Sequence, residues 1–435
     1  VIAALFAGGL VVAGVVEGRL AESETPACVA VALVAEKTET AFACTPGIQP
    51  AALDSDSLFE IGSITKGFTG ILLADMVRKG EVSLDDPVTK YARPGAKLPA
   101  GAQAITLRDL VTQTSGLPRM PPVFNPANPS NPYADFTADS LYEALAQTEL
   151  REKGHYEYSN FGFMWLSEML SRRAGKPYAV LLKERVLDPL GMKDTAITLT
   201  AEQEKRFVNG HDAYYQPVPH WDAGANLEGV GGLRSSLRDM AILAEAMAGR
   251  RDTPLKESIA LALEPIGGSG GSSSTGYAWI TNTIGGTTIR GHGGATAGFR
   301  AAIQVNPRTR TAAVVLVDSS APFDDLAMHL VDPDIPLVKK RVGLATDVET
   351  LKQYVGRYKF TPTFTLELFM DGKRLMAQGH APLPEEVLRE GPDVFFRTVT
   401  PSRLSFSRGP GGEVDGLALE QFGRVQKAER SASTR

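Results

Sequence analysis

Ser63 and Lys66, in Ser63-Ile64-Thr65-Lys66, are the residues of this chain whose types and spacing could do covalent chemistry. A serine hydroxyl is a weak nucleophile at its free pKa and needs a neighbouring base. Three residues along a helix, a lysine lies on the same face as the serine and its amine can reach the hydroxyl. Leu58, Phe59 and Ile61 form a short strand-like run that leads through Gly62 to Ser63, and Gly67 to Met76 reads as an amphipathic helix. The serine then feels the positive end of the helix dipole, which favours a developing alkoxide. Taken alone, the pair has an ordinary reading as an N-cap serine with a solvated lysine.

Two further groups follow. Tyr158 and Asn160 lie in His155-Tyr156-Glu157-Tyr158-Ser159-Asn160-Phe161-Gly162-Phe163, and His292-Gly293-Gly294 lies in Arg290-Gly291-His292-Gly293-Gly294-Ala295. A nearby ammonium lowers a phenol's pKa, so Tyr158 and Lys66 together can take the serine proton. Asn160 can hold Lys66 or a substrate amide by hydrogen bonds. Each group alone reads equally as structure, a turn with an aromatic anchor and a glycine-rich strand end. The trio in this order points to acyl transfer.

The elements that must position these residues come from both ends of the segment. Residues 24–60 give the first strands of an antiparallel sheet, and residues about 80–240 are mostly helical with long loops. Gly267–Gly276 reads as a flexible loop, and strands return near Tyr277–Ile280, Thr287–Arg290, Gly298–Val305 and Ala312–Val317. The helical lobe is therefore inserted in the sheet domain, and the site is expected in the crevice between them. Ser63 comes from the first segment, Tyr158 from the insert and His292 from the closing strand.

With these motifs in place, the chain resembles the serine β-lactamase and penicillin-binding protein family, in the branch of class C β-lactamases, D-Ala-D-Ala carboxypeptidases and family VIII esterases. Ser63 matches the family nucleophile, Lys66 its partner lysine, Tyr158 and Asn160 the Tyr-x-Asn motif, and His292-Gly293-Gly294 the third motif. Ser83–Pro87, Leu107–Pro118, Pro189–Thr195, Gly231–Ser236 and Gly294–Phe299 agree as well, so the resemblance covers residues 1–335. It implies an α+β, β-lactamase/transpeptidase-like fold: an antiparallel sheet flanked by helices, with the helical lobe inserted. It also implies an acyl-serine intermediate on Ser63, Tyr158 with Lys66 as base, and an oxyanion held by the N–H groups of Ser63 and Ala295. His292, Gly293, Gly294 and Ala295 with Asn160 would bind substrate.

One departure bears on the substrate. Class C β-lactamases usually carry Lys-Thr-Gly at the third motif, whereas His292-Gly293-Gly294 looks more like D-aminopeptidase and carboxypeptidase members. A histidine is mostly neutral at pH 7 and grips a carboxylate less than a lysine does, leaving it a donor or proton shuttle. Arg290, Arg234 and Arg300 are available to meet a carboxylate, and the loops Pro121–Pro126 and His220–Asp222 to rim the pocket. The expected function is a serine hydrolase acting on β-lactam or related amide and ester substrates. The alternatives are a family VIII-type carboxylesterase on short acyl esters, a D-amino-acid peptidase, or a slowly deacylating penicillin sensor.

Residues 336–348 read as a linker, and 349–435 change texture. Short alternating runs with turns at Asp371-Gly372-Lys373 and Gly409–Gly412 predict a small antiparallel barrel. It resembles the lipocalin-like domain appended to several β-lactamase-fold peptidases, with capping or homo-oligomer formation among its roles. The net charge of −5 and the lack of a basic stripe offer no case for nucleic acid. No apolar run is long enough to span a membrane. The six histidines show no H-x-H or H-E-x-x-H spacing, so neither a metal nor another cofactor is expected.

Residues 1–16 are uncharged and read either as part of a structural helix, Ile2–Leu20, or as the apolar core of an export signal, and the helix is favoured. The lack of an initiating Met points to a removed upstream segment. Cys28 and Cys44 flank a hairpin with its turn at Glu36–Glu39, so they form a disulfide if the register aligns them and are otherwise small buried hydrophobes. A periplasmic or secreted location is expected.

Overall fold

The computed structural model describes residues 8–23, 25–48, 53–270, 273–361, 364–379, 384–398, 402–421 and 424–431. Two compact units divide the chain. The first runs to Leu337, and the second comprises Val338 onward with the short stretches Glu22–Pro26 and Ala213–Tyr215.

The first unit is built on an antiparallel sheet. Its first strands are β1 (Cys28–Val34) and β2 (Thr38–Cys44), while β3 (Leu58–Glu60), β4 (Gly210–His211), β5 (Pro217–Val218) and β6 (Arg234–Ser236) form small separate ladders. The remaining strands are β7 (Gly267–Gly270), β8 (Ser273–Thr275), β9 (Ile280–Ile284), β10 (Thr287–Ala295), β11 (Arg300–Asn306) and β12 (Thr311–Val317). The order β2-β1-β12-β11-β10-β9-β8-β7 makes one sheet of eight strands, closed by pairing the first hairpin with the last strand.

Strand alternation sends side chains to two cores. Val29 and Val31 of β1, with Ala313 and Val315 of β12, pack with Val12, Val16 and Leu20 of the Gly8–Ala21 helix. Ala30, Ala32 and Val34, with Val314 and Leu316, face the opposite core, which contains Phe68, Ile71 and Leu72 of the Thr65–Arg78 helix. Most helices of the lobe, including Asn160–Ala174 with its buried Trp165, join that second core. Residues 2–7 of the expected Ile2–Leu20 helix lie outside the described residues.

Two local expectations change. Gly267–Gly276 is not a loop throughout: Gly267 pairs with Thr275 and Gly268 with Ser274, so β7 and β8 form an edge hairpin. Backbone pairing needs no side chain, which is why a glycine–serine composition does not exclude a strand. Tyr277–Trp279 is a turn, with Ala278 at φ +69°, and the strand begins at Ile280. Tyr277 and Trp279 are buried, so apolar residues that read as a strand act as core anchors instead.

In the second unit, β13 (Gly356–Thr361), β14 (Phe364–Asp371), β15 (Arg374–Gln378), β16 (Glu385–Gly391), β17 (Val394–Arg397), β18 (Arg403–Arg408), β19 (Val414–Gln421) and β20 (Arg424–Ser431) close in sequential order into a barrel. Leu366 and Leu368, two residues apart, are buried, and they share an interior with Tyr354, Tyr358, Phe395 and Phe406. The barrel interior is thus a packed core of its own.

Candidate active site

Ser63 occupies a 3-10 turn, Gly62–Ile64, that feeds directly into the Thr65–Arg78 helix. The turn is held by Ile61 N–H donating to Leu233 O at 3.1 Å and by Thr65 Oγ1 donating to Gly62 O at 2.7 Å. Gly62 has φ +48°, and a Cβ on it would lie 2.6 Å from Ala295 N. A Cβ on Gly294 would collide with the carbonyl of Ile61. These two glycines let the end of β10 press against the turn that carries Ser63.

That approach bears on where the Ala295 N–H points. Thr296 N–H bonds Phe299 O across the β10–β11 turn, and Ala295 pairs with Arg300. Antiparallel pairs alternate between bonded and non-bonded, so Ala295 turns its N–H away from β11. Pairing of β9 with β10 ends at Gly291, which leaves that N–H facing the Gly62–Ser63 turn.

Lys66 has no solvent exposure. Its Nζ lies 2.9 Å from Ser63 Oγ and 2.6 Å from Val230 O, and the rings of Tyr158 and Phe163 stand 5.0 and 5.7 Å from it. Burial, helped by the nearby Arg119 cation, pushes the amine's pKa well below its ordinary 10.5. Tyr158 moves the opposite way: burial raises its phenol above the ordinary range, although a hydrogen bond with Ser63 opposes this. The directions reverse the sequence-based expectation of an ammonium next to a phenolate. A neutral amine can donate to Val230 O and still accept the Ser63 proton, while Tyr158 keeps its O–H.

Tyr158 is positioned by the residues that follow it. Ser159 caps the Asn160–Ala174 helix, its Oγ accepting from Gly162 N–H at 2.9 Å and donating to Pro118 O at 2.7 Å. Gln113, at φ +64°, brackets the tyrosine: its Oε1 accepts from Ser159 N–H at 2.7 Å and its O from Glu157 N–H at 2.8 Å. Sequence reasoning quoted Gln113 within a matching stretch and gave it no role.

Asn160 does not touch Lys66. Its Nδ2 donates to Tyr133 Oη at 3.3 Å and lies 3.6 Å from Met120 Sδ, while its buried Oδ1 has no hydrogen-bond partner among the described residues. Tyr133 packs on Phe124 and Trp221, with ring centroids 5.3 and 5.5 Å away, which joins the two loops expected to rim the pocket. Tyr133 was not found from the sequence, where it stands in a polar loop without a motif.

His292 lies on β10 with its ring centroid 6.3 Å from that of Tyr158. Burial lowers its pKa to about 4, and the positive field of Lys66 acts in the same direction. Its Nδ1 is 2.5 Å from Gly293 O, and a carbonyl only accepts, so Nδ1 carries the proton and Nε2 presents a lone pair. The side chain is therefore an uncharged acceptor at neutral pH. Gly293 backs onto Asp324, whose carboxylate a Cβ there would meet at 2.7 Å.

Two of the three arginines expected near a carboxylate are otherwise engaged. Arg234 is buried and donates to Trp221 O, Ile197 O and Asp222 Oδ1. Arg300 donates to Ser320 O at 3.0 Å, and Arg290 has a buried Nε without a hydrogen-bond partner. Arg119, which no sequence motif singles out, places its guanidinium carbon 5.1 Å from the Tyr158 ring centroid. Among the described residues no group of three or more His, Cys, Asp or Glu could hold a metal ion.

The chain is similar to several known proteins. D-alanyl-D-alanine-carboxypeptidase/endopeptidase AmpH of Escherichia coli strain K12 is 36% identical over 154 residues, 35% of this chain and 40% of that protein. The match thus spans less than half of that relative's length. Esterase EstB of Burkholderia gladioli is 30% identical over 206 residues, 43% of this chain and 52% of the esterase. The octameric penicillin-binding protein homologue from Pyrococcus abyssi has a similar fold, with TM-score 0.65 and 20% identity over 97% of this chain and 100% of that one. Residues 340–430 match a family described as a domain of unknown function (DUF3471). Residues 12–332, most of the chain and all of the site just described, match the Beta-lactamase family model, and the chain belongs to that family.

Proposed function

We propose that the protein is a serine hydrolase that forms an acyl-serine intermediate on Ser63 and acts on β-lactam or related amide and ester carbonyls. The observation that carries this reading is the 2.9 Å contact between Ser63 Oγ and the fully buried Lys66 amine. Lys66 takes the hydroxyl proton as Oγ bonds to the carbonyl carbon. The N–H groups of Ser63 and Ala295 receive the oxyanion, each worth about 3 kcal/mol in the transition state. Tyr158, still a phenol, hands a proton to the departing group and recovers one from the Lys66 ammonium. Water then attacks the acyl-enzyme by the same route in reverse.

Purified protein should be assayed with a chromogenic cephalosporin, with p-nitrophenyl esters of increasing length and with D-amino-acid peptides, with Ser63→Ala as control. Turnover that vanishes in the variant supports the hydrolase, and the substrate that turns over assigns the class. Labelling of Ser63 by a fluorescent penicillin without turnover would replace the hydrolase with a sensor. No labelling and no turnover would remove the reading altogether.

A periplasmic or secreted location is part of the proposal, supported by the disulfide between Cys28 and Cys44. Cell fractionation tests it. The Pyrococcus abyssi homologue is octameric, which motivates a homo-oligomer here as well, and light scattering on the purified chain tests that.

A further inference from the structure

We infer that Arg119 is the residue that selects substrates with a carboxylate close to the scissile carbonyl, and that it does so from beside the Tyr158 ring. The inference rests on the reading of Ser63 as nucleophile.

A carboxylate needs a cation or several donors, and the third motif offers neither in its side chain. His292 holds its only N–H on Gly293 O, so its other ring nitrogen is a lone pair that repels a carboxylate. Two of the strand arginines are held elsewhere. Arg234 is spent on two carbonyls and the Asp222 carboxylate, and Arg300 reaches Ser320 O.

Arg119 has the opposite profile. It is exposed, and its guanidinium makes no hydrogen bond or ion pair among the described residues. Its backbone is nonetheless fixed, because Arg119 O accepts from both Asn160 N–H at 2.9 Å and Phe161 N–H at 3.3 Å. The guanidinium lies 5.1 Å from the centroid of the Tyr158 ring, whose hydroxyl bonds Ser63. Lys66 stands 5.0 Å from the same centroid. A planar fork of five donors, anchored by its main chain beside the proton-transfer pair and with no partner of its own, fits a carboxylate in two parallel hydrogen bonds.

The test compares isosteric pairs of p-nitrophenyl or aryl esters, one member neutral and one with a carboxylate, on the acyl side in one pair and on the leaving group in the other. The readout is the ratio of kcat/KM for charged over neutral substrate in wild type, Arg119→Gln and Arg119→Lys. In at least one pair the ratio should fall about tenfold or more in Arg119→Gln and recover in part in Arg119→Lys. The wild-type ratio should also fall as salt is raised from about 0.01 to 1 M, since an exposed charge is screened. This second measurement does not depend on whether the variants fold. A ratio insensitive to both salt and Arg119 in both pairs overturns the inference while leaving the hydrolase reading intact. Absence of all Ser63-dependent turnover and labelling removes that reading and the inference with it.

Discussion

Burial acts on Lys66 and Tyr158 in opposite directions, and in the proposed reaction this makes Lys66 the base. Lys66 is pushed well below 10.5 and Tyr158 above its ordinary value. In the proposed reaction protonated Lys66 is inactive and the free amine active, so activity should rise with pH through a lysine pKa well below the ordinary 10.5. A pH–rate profile of kcat/KM checks this, and an acid limb near the ordinary lysine value would contradict it. No inflection from His292 is expected between pH 6 and 8, because its pKa is about 4. Lys66→Ala should lower kcat on the order of a thousandfold. Gln113→Ala, which removes the acceptor for Ser159 N–H beside Tyr158, should lower kcat by about tenfold to a hundredfold with little change in KM. That Ser63, Lys66 and Tyr158 come together was legible in the sequence, because the expected chemistry requires those residue types in that order. Gln113, Tyr133 and Arg119 were not, since their roles depend on contacts made far along the chain. The proton assignment was also hidden, because the burial that sets it comes from Val230, Phe163 and other distant residues.

At the scale of elements, the site is made by two backbone segments that touch, the Gly62–Ile64 turn and the end of β10. Gly62→Ala would meet Ala295 N at 2.6 Å in a left-handed conformation that costs about 1–2 kcal/mol by itself. The expected result is loss of Ser63 acylation together with a lower Tm, measured by penicillin labelling and thermal melts. The sequence signalled strands around this contact, but it placed the end of β10 at Arg290, five residues short of Ala295. Three glycines among residues 291–294 break the apolar alternation that marks a strand, and the pairing of this stretch with β11 is visible only in the fold.

The 3-10 turn Glu228–Val230 is the second element that matters, since Val230 O holds Lys66. Glu228 in that turn is buried, its Oε2 has no hydrogen-bond partner, and burial raises its pKa to about 7. A carboxyl with a raised folded-state pKa contributes stability that is complete below about 4.5, its unfolded value, and is lost as pH rises through about 7. Glu228→Gln should therefore remove a loss of about 3 kcal/mol between those limits. Denaturant unfolding at pH 5 and pH 8 measures it: the difference between wild type and variant should shift towards the variant at the higher pH. An equal difference at both values would mean that Glu228 finds a partner or solvent on ionising.

For the whole molecule, the sequence placed a sheet domain before a small barrel, and the two units hold separate hydrophobic cores. What it left open was the state of the cysteines, because a hairpin pattern does not fix register. The strands pair Cys28 with Cys44 directly, and the two form a disulfide. With a sequence separation of 16, the crosslink removes unfolded-state entropy worth about 3 kcal/mol in the chain-entropy model. It lies in the hairpin that closes the sheet against β12, so its effect belongs to the first unit alone. Replacing both cysteines with alanine should lower the melting transition of that unit by about 5 °C and leave the barrel transition in place. Differential scanning calorimetry reads both at once, and Ser63 labelling during the scan identifies the first. If the two transitions move together, the units unfold as one cooperative block, and the separate cores do not confer separate stabilities.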